Sequence, residues 1–348
     1  MASYVDFSDR IRAASAAGTS LRLRGGGTKD WYGQSLQGEV LDTCVNSGII
    51  SYEPTELVIT ALSGTPLAEI EALLAQHNQM LAFEPPRFGT ASTIGGVVAS
   101  ALSGPRRASA GAVRDFVLGA VLMDGRGEVL RFGGQVMKNV AGYDVSRLLA
   151  GSLGTLGLIL EVSLKVLPVP LREASLRFEM SEIDALARLN AWAGQPLPIS
   201  ASCWHQGVLS LRLSGADAAV EAAQRRLGGE VTDDALWAAL RDQTHAYFSG
   251  GSLWRMSVPS HASAIILRGE QLIEWGGAQR WLKVDDADVD SIRRTVAACG
   301  GHATLFRGGD KHVGVFHPLT PAVAKIHQRL TQSFDPAGIF NPGRMYAD

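Results

Sequence analysis

Residues 83–104 read F-E-P-P-R-F-G-T-A-S-T-I-G-G-V-V-A-S-A-L-S-G, and the run they open closes at 138–165 with K-N-V-A-G-Y-D-V-S-R-L-L-A-G-S-L-G-T-L-G-L-I-L-E-V-S-L-K. Glycines cluster here at the ends of apolar segments, where a side chain would keep a large ligand away from the backbone. Thr93 to Leu102 reads as a small-residue helix whose face of Gly95, Gly96, Ala99 and Ser100 lets another backbone or a ligand come close. A second cluster, Arg24-Gly25-Gly26-Gly27-Thr28, lies far upstream. Two separated backbone-rich loops suit a long ligand with a diphosphate in its middle. A flavin dinucleotide in an extended pose is the working expectation.

The common nucleotide motifs do not account for these glycines. No G-x-G-x-x-G follows a strand, and Gly27-Thr28-Lys29 reverses the order that a P-loop needs. The physical reading is that Gly25–Thr28 turn their N–H groups into a nest for phosphate oxygens. Thr93 adds a hydroxyl and the positive end of its helix.

Outward from this core, Val5–Ala17 reads as a helix and Leu21–Arg24 as a short strand feeding the glycines. Residues 56–62 form a buried strand, followed by a helix with Thr65 as N-cap, Pro66 at its first position and Leu67, Ile70, Leu73 and Leu74 on one face. Residues 117–123 and 128–132 pair through Asp124-Gly125-Arg126-Gly127, with Asp-Gly supplying the positive φ of the turn. Residues 143–150 are helical, and 156–166 form a long strand ending at Pro168 and Pro170, the best domain boundary. Beyond it the pattern resets. Strands are expected at 174–180, 199–205, 208–213, 252–258, 264–268, 272–275, 302–307 and 312–316, and helices at 181–192 (with a capping-box start), 216–227, 233–248 and 288–298. This predicts an antiparallel sheet covered by helices on one side. A last helix follows Thr320-Pro321, and then F-D-P-A-G-I-F-N-P-G-R-M-Y.

At 348 residues two domains are the natural prior. The net charge of −2 gives no support for a nucleic-acid or anionic-membrane partner. Arginines 22, 24, 106, 107 and 114 gather near the glycine loops, which suits a bound anion better than a polymer. Cys44, Cys203 and Cys299 are isolated, so no iron–sulfur or zinc site is expected, and their odd number fits a reducing compartment. No apolar run reaches the length of a membrane span, and the first residues do not read as a secretory signal. The expectation is a cytoplasmic protein, with any membrane association made through partner subunits.

The ordered set R-G-G-G-T, S-G-T-P-L, T-I-G-G-V-V-A-S-A-L-S-G, R-D-F-V-L-G-A-V-L-M-D-G and G-S-L-G-T-L-G-L-I-L-E-V resembles the FAD-binding domain of the vanillyl-alcohol oxidase/p-cresol methylhydroxylase (PCMH) flavoproteins. Further on, L-W-R-M-S-V-P, W-G-G-A-Q-R-W-L, G-G-H-A-T-L-F-R and F-D-P-A-G-I-F-N-P-G-R resemble one branch, the smaller FAD-binding subunit of bacterial glycolate oxidase. The likeness spans almost the whole chain. It implies an α+β fold: a two-subdomain PCMH-type FAD-binding domain over 1–170, an antiparallel-sheet-plus-helices cap (substrate) domain over 171–320, and a segment, 321–348, returning to the FAD domain.

The resemblance also implies site residues. Arg24, Gly25, Gly26, Gly27, Thr28 and Lys29, with Thr93, Gly95, Gly96, Ser103 and Gly104, would clasp the pyrophosphate. Leu158, Ile159 and Leu160 would meet the adenine end through their backbone, Arg114-Asp115 would lie near the flavin, and Asn341 and Gly343 would fold back to the cofactor. The first loop holds no His or Cys, so FAD is expected to be non-covalent. Partners implied are glycolate or a similar 2-hydroxy acid, a sister FAD subunit and an iron–sulfur subunit.

Oxidising a 2-hydroxy acid needs a cation for the carboxylate and a base for the hydroxyl proton. Arg255 and Arg307, on expected strands, are the candidate carboxylate clamps, and His302 is the candidate base. The relatives that do this chemistry carry a tight His-x-x-x-x-x-x-His cluster with an acidic partner. Around His302, His312 and His317 no nearby glutamate completes that pattern, so no metal site is expected. A self-sufficient D-lactate or 2-hydroxy-acid dehydrogenase and a catalytically inert FAD-binding assembly subunit are the alternatives. Lys138, Asn139 and Tyr143 are read either beside the flavin or as a surface loop, and W-G-G-A-Q-R-W as core strand rather than partner-facing edge.

Overall fold

The computed structural model describes residues 2–134, 144–286 and 288–346. Its contacts divide the chain into two units. Unit one comprises Met1–Leu102, Ala112–Pro168 and Pro318–Asp348; unit two comprises Ser103–Gly111 and Val169–His317.

Unit one begins with α1 (Ala2–Ala17), where Phe7, Ile11 and Ala14 fall on one helical face. That face packs on Leu21 of β1 (Leu21–Arg24) and Leu41 of β2 (Glu39–Asp42), two strands paired in parallel. Next come β3 (Ile49–Glu53), β4 (Val58–Leu62), α2 (Leu67–Gln76), β5 (Gln79–Met80) and α3 (Ile94–Ser100). Thr65 does not cap α2. Pro66 takes that position, and the Thr65 hydroxyl instead accepts from Gly48 N at 2.9 Å and lies 2.7 Å from Leu62 O. The helix α4 (Arg107–Ala110) belongs to the excursion counted with unit two.

The chain returns to unit one as α5 (Val113–Phe116), β6 (Val117–Met123), β7 (Val129–Gly133), a 3₁₀ turn at Val145–Leu149, β8 (Leu158–Lys165) and β9 (Leu167–Pro168). An antiparallel sheet runs β3-β4-β8-β6-β7. In central β8, six of eight residues are buried, so both faces are covered. In the β6–β7 turn the left-handed residue is Gly127 (φ 73°), not the glycine of Asp-Gly, because the Asp124 carboxylate accepts from Arg126 N and Glu128 N, each at 2.9 Å. Lys138, Asn139 and Tyr143 lie outside the described residues.

Unit two is an eight-stranded antiparallel sheet made from β10 (Arg172–Glu179), β11 (Ile199–His205), β12 (Val208–Gly215), β13 (Glu230–Thr232), β14 (Ser252–Ser257), β15 (Glu270–Glu274), β16 (Gln279–Val284) and β17 (His302–Arg307). Their order is β13-β10-β12-β11-β15-β16-β14-β17. Helices α6 (Glu182–Ala193) and α7 (Asp217–Leu227) pack on Leu176, Leu209, Leu211 and Leu213. Helix α9 (Val289–Ala298) packs on Trp254, Met256, Leu282, Ala303 and Leu305 of the same face.

The expected one-sided cover is incomplete. The span 233–248 is not one helix but α8 (Ala235–Arg241) and a 3₁₀ turn at Ala246–Phe248. Both lie against the opposite face. Trp237 of α8 donates to Ser175 Oγ at 2.7 Å and lies under the Arg212 guanidinium, and these two residues alternate with Leu176 and Leu211. Phe248 meets Trp281 edge-on at 5.5 Å. Trp281 is 4% exposed in a central strand, so the Q-R-W end of the run is core strand, whereas Trp275 is half-buried in a 3₁₀ turn at Trp275–Gly277.

Residues 264–268 and 312–316 are not strands, and side chains hold carbonyls in both. Gln271 Nε2 donates to Ile265 O at 2.7 Å, just after the Ala262 and Ser263 carbonyls bonded by the fully buried Arg280, and Arg293 donates to the carbonyls of Val313, Gly314 and Phe316. Carbonyls that a neighbouring strand would use are bonded to side chains instead.

The final helix, α10 (Pro321–Phe334), starts with Pro at its first turn. The chain then runs back alongside β1: Leu21 N donates to Ile339 O at 2.7 Å and Asn341 N to Leu21 O at 2.9 Å. β1 is thus bonded to β2 on one side and to this late segment on the other.

Candidate functional site

In unit one, β1 delivers Arg24 to the glycine loop, which crosses the start of α3. An added Cβ at Gly26 would stand 1.5 Å from Ala91 O, and one at Gly25 would stand 2.5 Å from the Thr93 hydroxyl. Only glycine permits that approach. Among the described residues, no protein acceptor takes the N–H of Gly25, Gly26, Gly27 or Thr28. The four residues that carry these amides line a groove together with Arg24, Lys29, Asp30, Thr93, Gly96, Ala99, Leu153, Asn341 and Arg344. From Arg24, at its near end, the groove continues along Thr43, Ser63, Gly95, Gly154, Gly157, Leu158 and Ile159, none of which is charged.

Cations surround the amides. Arg22 and Arg24 both pair with one oxygen of Asp30, the latter at 2.9 Å, and Lys29 reaches Ser92 Oγ at 3.0 Å. A cradle that excludes a β-carbon, unbonded amides and clustered cations fit the diphosphate of a dinucleotide. The uncharged continuation fits its adenosine end.

The α3 terminus acts differently from the sequence reading. Ile94 N donates to Thr65 O, Gly95 N to Ser63 O and Gly96 N to the Thr93 hydroxyl, so these first-turn amides are already bonded. Gly95 faces Ser63, where an added Cβ would meet backbone oxygen at 2.8 Å, whereas at Gly96 the nearest atom would be Thr93 Oγ1 at 3.3 Å. Gly95 is therefore a packing glycine, and Gly96 opens on the groove. Leu158 and Ile159 line the groove, while the Leu160 carbonyl is taken by Asn46 Nδ2 at 2.7 Å and Ser63 N at 2.9 Å.

Asn341 bridges Leu23 N (3.0 Å) and Leu153 O (2.7 Å) across the groove wall. Ser103 and Gly104 fall in unit two, where the Trp275 indole donates to Gly104 O at 3.1 Å. Arg106 and Arg107 are engaged within unit two as well, with Glu173 and with the Trp275 ring. Arg114 projects from α5 with 65% of its side chain exposed, outside the groove lining.

Unit two brings Arg255, His302 and Arg307 onto one face, the one away from α9. Arg255 pairs with Thr304 and Ser257 with His302, so these alternate with core residues Met256 and Ala303. The register slips between Leu253 and Trp254, which pair with Arg307 and Leu305; this bulge turns Arg307 to the same side. Arg255 and Arg307 lie 5.5 and 5.9 Å from the Phe306 ring, and Arg307 also donates to Gln243. Burial lowers the Arg307 pKa. Loss of hydration, with Arg255 and His317 nearby, lowers that of His302, a residue that as a whole stays exposed at the start of β17. His302 is thus neutral at pH 7, as a base must be.

A cavity of about 390 Å³ in unit two lies elsewhere, on the α9 face beside Trp254 and Leu305. Asp285, Asp286, Asp288 and Asp310 line it, which disfavours an anionic substrate. Among the described residues no group of three or more His, Cys, Asp or Glu is gathered to hold a metal. Asp30, Gln243 and Arg344 were missed in the sequence; only Arg344 carried a signal, standing directly after Asn341-Pro342-Gly343.

A family model described as an FAD binding domain matches residues 1–133. The chain is 49% identical over 341 residues to the glycolate oxidase subunit GlcE of Escherichia coli (strain K12), covering 98% of this chain and 96% of that protein. It is 33% identical over 141 residues to the glycolate oxidase subunit GlcD of Bacillus subtilis (strain 168), covering 40% of this chain and 30% of that one. A D-lactate dehydrogenase of Anaerostipes hadrus is 36% identical over 124 residues, or 35% of this chain and 25% of that protein. Among solved structures, alkyldihydroxyacetonephosphate synthase superposes with a TM-score of 0.67 at 13% identity, covering 96% of this chain and 73% of that one.

Proposed function

The chain belongs to the family of the glycolate oxidase subunit GlcE, and on that premise we propose that it oxidises glycolate or a similar 2-hydroxy acid and hands the electrons to a partner subunit. It is a flavoprotein oxidoreductase subunit with FAD as its cofactor and a PCMH-type FAD-binding fold. The observation that carries the reading is the run of four unbonded amides beside Arg22, Arg24 and Lys29. These residues would hold the diphosphate, and the uncharged groove from Thr43 to Ile159 the adenosine end. Bound FAD would accept the α-hydrogen of the substrate as hydride. Arg255 and Arg307 would hold the substrate carboxylate, and His302 Nδ1 or Nε2 would take the hydroxyl proton. A sister FAD subunit and an iron–sulfur subunit are the proposed partners, in the cytoplasm. Among the described residues no helix is long and apolar enough to cross a membrane.

FAD is proposed to be non-covalent, since the loop around Gly25–Lys29 presents no nucleophilic His or Cys. Acid precipitation should leave all the flavin in the supernatant; flavin retained on the polypeptide after washing would contradict this.

The test of function is an anaerobic visible spectrum of the purified chain before and after adding glycolate. The flavin band should bleach. Arg255→Ala and Arg307→Ala should keep FAD but slow bleaching roughly a hundredfold, the usual scale for losing substrate positioning. In the wild type the rate should fall as pH drops through the lowered His302 pKa, below the ordinary histidine range, and His302→Asn should remove that limb. Bleaching only after sister subunits are added would instead assign the chain to electron transfer.

A further inference from the structure

Arg344 stands out among the groove residues for how its charge is treated. It is 6% exposed, and every hydrogen bond of its guanidinium goes to a main-chain carbonyl: Gln34 O, Asp30 O at 3.0 Å and Lys29 O at 3.4 Å. Its own backbone closes the same loop, with Gln34 N donating to Arg344 O at 2.9 Å. Among the described residues no carboxylate forms an ion pair with it; the nearby acid, Asp30, is already shared by Arg22 and Arg24. A buried cation without a counter-ion is costly, and such a charge is retained where an anion arrives to balance it.

The side chain also borders the groove beside the four unbonded amides. We propose that Arg344 is a positioning residue for the dinucleotide: it ties residues 29–34 into place and supplies the buried positive charge that the diphosphate neutralises. Burial lowers its pKa to about 10, with Asp30 working against that and Arg22 adding to it, so the group stays charged at neutral pH in the empty groove. Carbonyl bonding and charge are separable. The first holds the loop in the empty protein, and the second matters only when the anion is present. This inference rests on the FAD reading above.

The experiment uses the full chain stripped of flavin, with FAD and ADP as probes and binding followed by fluorescence and calorimetry. Arg344→Gln keeps amide donors for the carbonyls and removes the charge; Arg344→Lys keeps the charge. Arg344→Gln should melt, without ligand, within a few degrees of wild type, while its Kd for both FAD and ADP rises roughly tenfold to hundredfold, the scale of a lost charge-assisted contact. Arg344→Lys should recover most of that affinity. An unchanged Kd in Arg344→Gln overturns the inference, as do equal losses in both variants. Failure of Arg344→Gln to fold also overturns it, since the residue would then be a structural brace. If the wild type itself binds neither FAD nor ADP, the cofactor reading has failed rather than this one.

Discussion

Gly26→Ala should yield a chain that purifies without flavin and melts well below wild type. The added methyl would stand 1.5 Å from Ala91 O and 2.5 Å from its carbonyl carbon, both backbone atoms that cannot rotate away. Either the glycine loop lifts off residue 91 or that strand of chain moves, and both open the amide nest. Overpacking of this severity costs about 3 kcal/mol or more, and the same displacement applied to the bound state weakens FAD by roughly a hundredfold. The flavin-to-protein absorbance ratio and a thermal melt would show it. Gly194→Ala is the matched control, because the nearest atom to its added Cβ lies 3.9 Å away. A flavin-replete Gly26→Ala protein would place the diphosphate somewhere other than this loop.

Gly96→Arg should separate cofactor loss from fold loss. At this position the nearest atom to an added Cβ is the Thr93 hydroxyl at 3.3 Å, and the substituent enters the groove rather than the core. The helix itself favours the change by about 1 kcal/mol, since arginine is a far better helix former than glycine. The expected product is a folded protein melting close to the flavin-free wild type and containing no FAD. Gly26→Ala loses both cofactor and stability; Gly96→Arg should lose the cofactor alone. Stoichiometric FAD in purified Gly96→Arg would mean that the cofactor does not run past α3.

The parts of this site legible in the sequence are those where close approach leaves a trace in composition. Gly26 and Gly95 meet backbone, at Ala91 and Ser63, and Gly25 meets the Thr93 hydroxyl, closer than any β-carbon would allow. The strands of unit two were legible through alternation, as in β10, β14 and β17. What escaped were arrangements made by long side chains. Gln271 takes the Ile265 carbonyl within 264–268, and Arg293 takes those of Val313, Gly314 and Phe316 within 312–316. Nothing local in those apolar runs announces that their acceptors are already used. The sharing of Asp30 by Arg22 and Arg24, and the reach of Arg344 to residues 29–34, are likewise contacts that no local pattern encodes. The same holds for the β17 bulge. Period-two counting puts Arg307 on the face opposite Arg255, and only the slip beside Phe306 places both guanidinium groups on one side.

The bonding of β1 has a consequence for biosynthesis. Asn341 grips Leu23 across 318 positions of sequence, and Arg344 reaches Gln34 across 310. The wall of the groove at the glycine loop is therefore made from early and late stretches of the described chain, and its contact order is extreme. During synthesis the whole of unit two emerges before the segment that completes β1 exists. Unit two can collapse on its own sheet meanwhile, whereas the glycine loop must wait with one edge of its strand unpaired. With FAD sited as proposed, its capture would be a late event, coupled to closure by residues 339–344. Until then the exposed edge of β1 is the place where a nascent chain is most open to mispairing or chaperone binding.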